Sequence, residues 1–157
     1  FMYKESFRTP LIAKWPGVVQ PGSNNTDLVQ NIDWAETFLD IAGAPIPDDM
    51  QGRSLVPLLK GKTPADWRKT LYYEYFGRGA HSVRAHEGVA DKRFKLMRFM
   101  GKDIPKEGQW EFYDLKKDPS EMTNIYSSPE HAPRIEAMKT ELQRLRRQYK
   151  VPDNMLR

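Results

Sequence analysis

Cysteine is absent from this 157-residue chain, which excludes disulfide bonds and thiolate metal sites. Histidine is scarce, with three residues, and no apolar run reaches the length of a membrane-spanning helix. The sequence has no internal repeat, no low-complexity tract and no nucleic-acid-binding motif. These absences argue against a disulfide scaffold, a helical membrane span and a nucleic-acid partner.

The composition is that of a folded protein with a basic surface. Hydrophobic residues make up 39% of the chain and aromatic residues 11%, which supports a packed core. The net charge is +4, with Lys and Arg concentrated at residues 92–106 and 134–150. Such charge attracts a polyanionic glycan or a nucleic acid, but a solvated protein surface is the simpler interpretation.

The first half of the chain predicts one strand and two helices. Pro10–Trp15 is a short apolar run closed by a Pro-Gly pair, typical of a buried strand. Asp33 is predicted to cap a helix that ends at Gly43, with Glu36 in capping-box spacing. A second, short helix is predicted at residues 54–59. The buried face of the first helix is predicted to contain Ala35, Phe38, Leu39 and Ala42.

The second half predicts a small sheet with a long helix. Alternation in a tyrosine-rich run predicts a strand at Thr70–Phe76. Paired strands are predicted at His86–Val89 and Phe94–Phe99, and a further strand at Trp110–Leu115. A helix beginning near Pro129 carries an apolar stripe of Ile135, Met138, Leu142, Leu145 and Tyr149. Three or four antiparallel strands packed on one long C-terminal helix form an α+β domain. We therefore predict an α+β chain with domains at 1–66 and 67–157.

Two phrases near opposite ends of the chain resemble the distal part of the sulfatases, hydrolases of the alkaline-phosphatase-like superfamily. The first runs from Lys4 through an apolar strand to Gln51-Gly52-Arg53-Ser54. The second is a tyrosine-containing strand followed by Asp118-Pro119-Ser120-Glu121 and Asn124. The resemblance implies that residues 1–66 are the terminal strand–helix piece of an α/β domain. It implies that residues 67–157 are the small C-terminal α+β domain.

The resemblance also implies that the catalytic groups lie elsewhere. Sulfatases use a formylglycine, made from Cys/Ser-x-Pro-x-Arg, as nucleophile and bind Ca²⁺ through carboxylate and amide oxygens. That motif is absent here, and the family's metal ligands and sulfate-contacting Lys fall before Phe1. We assign no catalytic residue and no metal ligand to this chain. Formylglycine and Ca²⁺ are expected only in a full-length parent, and the isolated chain is predicted to be inactive.

One loop remains as a candidate contact with substrate. His81, Arg84 and His86 lie in a segment between two predicted strands, where imidazole and guanidinium groups can bind sugar hydroxyls or sulfate. The resemblance implies that His86, which precedes Gly88-Val89, is a substrate contact, with His81 and Arg84 as neighbours. The family continues Gly-Val with Arg, whereas Ala90 follows here. A polar surface loop without a ligand is the alternative.

The expected function is therefore the C-terminal part of a sulfatase acting on sulfated glycans. The loop spacing is most similar to bacterial sulfatases for amino sugars of glycosaminoglycans, and the family implies a periplasmic or secreted location. The alternatives are an independent, non-catalytic module that binds anionic glycans, and part of a phosphatase or phosphodiesterase of the same superfamily. Self-association is expected through the truncated edge, where the predicted strand Pro10–Trp15 would lack a sheet to join.

Overall fold

The structure is a computed structural model that describes residues 1–77 and 83–152. Its helices are α1 (Lys4–Phe7), α2 (Asp33–Ile41), α3 (Val56–Leu59) and α4 (Ala132–Gln148), the last preceded by a 3₁₀ turn at Pro129–His131. Its strands are β1 (Leu71–Tyr75), β2 (Ala85–Ala90), β3 (Phe94–Met100) and β4 (Gln109–Asp114).

The chain divides into two compact units. The helical unit is Pro10–Lys69, and the sheet unit combines Phe1–Thr9 with Thr70–Arg157. This division differs from the boundary at residues 66 and 67, because the first nine residues pack with the sheet rather than with the segment that follows them. The assignment of two domains stays a prediction.

The predicted strand at Pro10–Trp15 does not form. These residues are neither helical nor part of the sheet, and Ile12 is 90% exposed. A strand needs a hydrogen-bonded neighbour, and the only sheet in the described residues consists of β1 to β4. The apolar run therefore lacked the partner on which the prediction depended, and self-association through it stays a prediction.

Helix α2 forms where it was predicted but buries a different face. Its buried residues are Asp33, Glu36 and Thr37, whereas Phe38 is 63% exposed and Trp34 is 38% exposed. The capping-box prediction was wrong, because the Glu36 carboxylate accepts the backbone N–H of Gly52 instead. The polar face is buried because it accepts backbone N–H groups of the segment 51–55, which has no helix or sheet of its own.

The acceptors on α2 are matched one to one with those backbone donors. Asp33 Oδ1 accepts the N–H of Arg53 at 2.9 Å, and Thr37 Oγ1 accepts the N–H of Leu55 at 2.8 Å. Arg68 completes the arrangement with an ion pair to Asp33, whose side chain is fully buried. The Gln-Gly-Arg-Ser phrase thus lies against the helix as a hydrogen-bonded strap.

The sheet unit confirms the predicted α+β arrangement. Its four strands are antiparallel in the order β1-β2-β3-β4. Helix α4 covers one face, which we call the helix face, and the predicted stripe supplies most of its core. That core contains Val89, Leu96, Phe112, Ile135, Met138, Leu142 and Leu145.

The opposite face is covered by the first residues of the chain, and we call it the N-terminal face. Met2 is fully buried there and packs with Met97, Tyr113 and their neighbours. Gly88 makes this approach possible, because a Cβ at that position would collide with the Met2 sulfur and lie 2.7 Å from the Leu96 carbonyl oxygen. The N-terminal segment is therefore an integral layer of the sheet unit.

Candidate functional site

His86 lies on the N-terminal face near one end of the sheet. On β2 it pairs with Tyr75 of β1 and with Phe99 of β3. Its imidazole is fully buried and surrounded by four aromatic rings, with centroid distances of 5.3 to 5.6 Å. These rings belong to Phe1, Tyr73, Tyr75 and Phe99.

The hydrogen bonding of His86 defines its chemistry. Its Nδ1 lies 2.8 Å from the backbone carbonyl oxygen of Arg84, so Nδ1–H is the donor. Burial lowers the pKa of the imidazole, which favours the neutral ring. In this tautomer Nε2 is an acceptor, and it has no hydrogen-bond partner within residues 1–77 and 83–152. The arrangement suits a hydroxyl or amide donor better than a sulfate oxygen, which needs a proton from its partner.

The other two predicted contacts are placed differently. Arg84 directly precedes β2, its residue surface is exposed, and it touches His86 through its backbone oxygen. His81 lies outside the described residues. Contact of His86, His81 and Arg84 with a glycan stays a prediction.

Sequence reasoning missed the polar groups beside this histidine. The Glu111 carboxylate accepts both the Tyr3 and the Tyr113 hydroxyl at 2.8 Å. Burial, together with the hydrogen bond to Glu111, raises the pKa of Tyr3 to about 12. The period-2 rule places Glu111 and Tyr113 on one face of β4, but no sequence pattern connects either to Tyr3.

The described residues contain no cluster of the side chains typical of a metal site, and the resemblance assigns the calcium ion to the full-length parent. Among them, no three or more His, Cys, Asp and Glu side chains are grouped as a metal site requires. In the same portion of the chain, no helix has both the length and the apolar character needed to cross a bilayer.

Neutral His86 predicts a pH dependence of stability. Because the pKa is lowered in the folded state, the unfolded chain binds a proton below its value of about 6.5 that the folded chain does not. The free energy of unfolding should therefore fall as pH drops through this range, by at most about 1.4 kcal/mol per pH unit from this group. Urea unfolding at about pH 7.5 and about pH 5.5 measures the effect.

His86→Phe is the matched variant, because an aromatic ring fits among the four neighbouring rings. The part of the pH dependence due to the imidazole should disappear in His86→Phe. The nearby charge of Glu111 stays in place. Identical pH dependence in both proteins would contradict the buried neutral ring.

The chain and its fold are similar to known proteins. Residues 1–148 match the family described as N-sulphoglucosamine sulphohydrolase, C-terminal. The chain is 45% identical over 156 residues to an N-acetylglucosamine-6-O-sulfatase of Bacteroides thetaiotaomicron, covering 98% of this chain and 27% of that protein. A solved structure in complex with its substrate D-glucosamine-2-N,6-O-disulfate matches with a TM-score of 0.91 and 44% identity. That match covers 99% of this chain and 31% of the solved chain.

A more distant match comes from a phosphonate monoester hydrolase of Silicibacter pomeroyi. Its TM-score is 0.71 at 28% identity, over 91% of this chain and 29% of that chain. The sheet with α4 on one face and the N-terminal segment on the other is thus the C-terminal architecture of sulfatases in the alkaline-phosphatase-like superfamily. The chain belongs to the N-sulphoglucosamine sulphohydrolase C-terminal family. It spans about a third or less of the relatives' length and corresponds to their C-terminal portion.

Proposed function

We propose that this chain is the C-terminal part of a sulfatase that hydrolyses sulfate esters on glucosamine units of sulfated glycans. The 45% identity over 98% of the chain to an N-acetylglucosamine-6-O-sulfatase carries the proposal. In this role the sheet unit completes the fold and supplies one wall of the substrate pocket. The formylglycine nucleophile and Ca²⁺ belong to the remainder of the full-length enzyme, which acts in the periplasm or outside the cell.

Within that wall, His86 is the proposed sugar contact, which requires its buried Nε2 to become accessible when substrate binds. The Nδ1 hydrogen bond to the Arg84 carbonyl leaves Nε2 without a proton, as an acceptor. Nε2 would therefore accept a hydrogen bond from a sugar hydroxyl or from the N–H of a 2-amino substituent. Arg84, with its permanent cation, is the proposed partner for an anionic group, and His81 is the proposed neighbour. Leaving a buried acceptor without a hydrogen-bond donor costs free energy, so such a contact would favour a sugar with a donor at this position over one without it.

The test compares steady-state hydrolysis of 6-O-sulfated N-acetylglucosamine by the full-length enzyme and by His86→Ala. We expect KM to rise about tenfold and kcat to change less than about threefold, because a binding contact is lost and no reacting group. His131→Gln is the control, since His131 ends the 3₁₀ turn and packs against Phe94 and Phe112 on the helix face. It should leave both constants unchanged.

Three outcomes would refute parts of the proposal. Absence of sulfate release by the wild-type enzyme would refute the activity, and an unchanged KM in His86→Ala would refute the role of that residue. Turnover by the isolated 157-residue chain would refute the placement of the catalytic groups elsewhere.

A phosphonate or phosphate ester hydrolase is the second candidate. The 28% identity to a phosphonate monoester hydrolase over 91% of this chain favours it. Assaying a phenyl phosphonate monoester beside the sulfated sugar separates the two functions. A higher kcat/KM for the phosphonate would favour the second candidate.

A further inference from the structure

Lys95 and Glu121 form a buried clasp that fastens the N-terminal segment to the sheet. The Lys95 ammonium lies 2.6 Å from Glu121 Oε1, and their side chains are 3% and 1% exposed. The same ammonium donates to the backbone oxygen of Met2 at 2.7 Å. The other oxygen of Glu121 accepts the backbone N–H of Lys4 at 2.6 Å. The two members of this ion pair thus hydrogen-bond to one backbone acceptor, on Met2, and one backbone donor, on Lys4, of the N-terminal segment.

The Asp-Pro-Ser-Glu phrase provides the turn that directs Glu121 inward. Glu121 has a left-handed backbone with φ of 54°, and its N–H donates to the Asp118 carbonyl at 3.2 Å. The Asp118 side chain accepts the N–H of Thr123 at 2.8 Å. A non-glycine residue in this region is unfavourable unless its surroundings require it. Here the requirement is the contact with Lys4 and Lys95.

The N-terminal segment cannot hold its conformation alone. Helix α1 has four residues, far fewer than an isolated helix needs to be stable. The segment also places Phe1 against the His86 ring, with centroids 5.6 Å apart, and Phe1 against Tyr3 at 5.7 Å. Any shift of the segment would therefore move a wall of the His86 surroundings.

We infer that Lys95 and Glu121 are positioning residues, which shape the glycan contact at His86 by holding the segment Phe1–Lys4 against the sheet. This inference rests on the proposed function. It requires that loss of the clasp change substrate binding and not only stability.

The opposite face of the sheet offers a matched control. Glu87 and Arg146 form a second buried ion pair there, with side chains 0% and 9% exposed. This pair fastens α4 to the helix face of β2, and the ion pair itself includes neither the N-terminal segment nor the His86 imidazole. Its disruption should lower stability without altering the wall beside His86.

The experiment measures KM and kcat of the full-length enzyme with 6-O-sulfated N-acetylglucosamine, together with urea unfolding. Lys95→Met and Glu121→Gln should raise KM about tenfold and change kcat less than about threefold. Arg146→Met should leave KM unchanged even where its loss of stability equals that of Lys95→Met or Glu121→Gln. Tyr3→Phe removes only the hydroxyl that donates to Glu111, and it should also raise KM. This variant keeps the inference testable if Lys95→Met fails to fold.

A double-mutant cycle tests whether the clasp acts through His86. In the His86→Ala background, Glu121→Gln should raise KM by much less than it does alone, because residues that act together are not additive. If KM rose in His86→Ala but stayed unchanged in Glu121→Gln and Tyr3→Phe, the inference would be overturned while the proposed role of His86 would stand. Full additivity would also overturn it. An unchanged KM in His86→Ala would overturn both the inference and the proposed role of His86.

Discussion

Arg146→Met is expected to destabilise the sheet unit by about 3–5 kcal/mol, because it leaves a carboxylate buried without its cation. Glu87 is fully buried on β2, and Arg146 of α4 forms an ion pair with its Oε2 atom. The remaining neighbours compensate poorly, since Arg98 lies 3.6 Å from Oε1 and the Tyr72 hydroxyl 3.4 Å from Oε2. Urea unfolding measured at neutral pH gives the free energy directly.

The same helix supplies the control. Arg144→Met is the same substitution two residues earlier on α4. Arg144 forms an ion pair with Glu141, and its own side chain is 52% exposed. It should cost less than about 1 kcal/mol. The double variant Glu87→Gln with Arg146→Met should regain part of the stability that Arg146→Met loses, because no fully buried carboxylate is left without its cation. Equal losses in Arg144→Met and Arg146→Met would contradict the buried-pair argument.

Hydrophobic periodicity was sufficient for the sheet unit and misleading for α2. The stripe of α4 and the alternation of β2 to β4 are predictable because each element buries its apolar face on the other. In α2 the buried residues are Asp33, Glu36 and Thr37, whose partners are backbone N–H groups around Gly52. A periodicity argument counts apolar side chains and is blind to backbone donors that need acceptors.

The candidate site was predictable only in part for a similar reason. His86 and Arg84 were proposed as contacts with help from the resemblance to sulfatases, and the alternation of β1 places Tyr73 and Tyr75 on one face. The clasp could not be found, because Glu121 and Lys4 are 117 positions apart and meet only after the sheet has formed. Contacts that depend on tertiary structure leave no local pattern in the sequence.

Gly52→Ala is expected to destabilise the helical unit by about 3 kcal/mol. The backbone of Gly52 is not left-handed, and glycine is required at this position because there is no space for a side chain. A Cβ at this position would collide with the Ile32 carbonyl oxygen and lie 2.6 Å from Glu36 Cδ. The backbone oxygen cannot move without distorting the start of α2. The Glu36 carboxylate would have to release the Gly52 N–H, losing a charge-assisted hydrogen bond.

Gly101→Ala separates this steric effect from the general effect of replacing glycine. A Cβ at Gly101 meets no atom within 4 Å, and its backbone angle is not positive. The free energy of unfolding of Gly101→Ala should therefore stay within about 0.5 kcal/mol of the wild-type value. Glu36→Gln adds a second comparison, because it keeps an acceptor for Gly52 and should cost less than Gly52→Ala. If Gly52→Ala were as stable as Gly101→Ala, the 51–55 strap would not lie against α2 as closely as the structure requires.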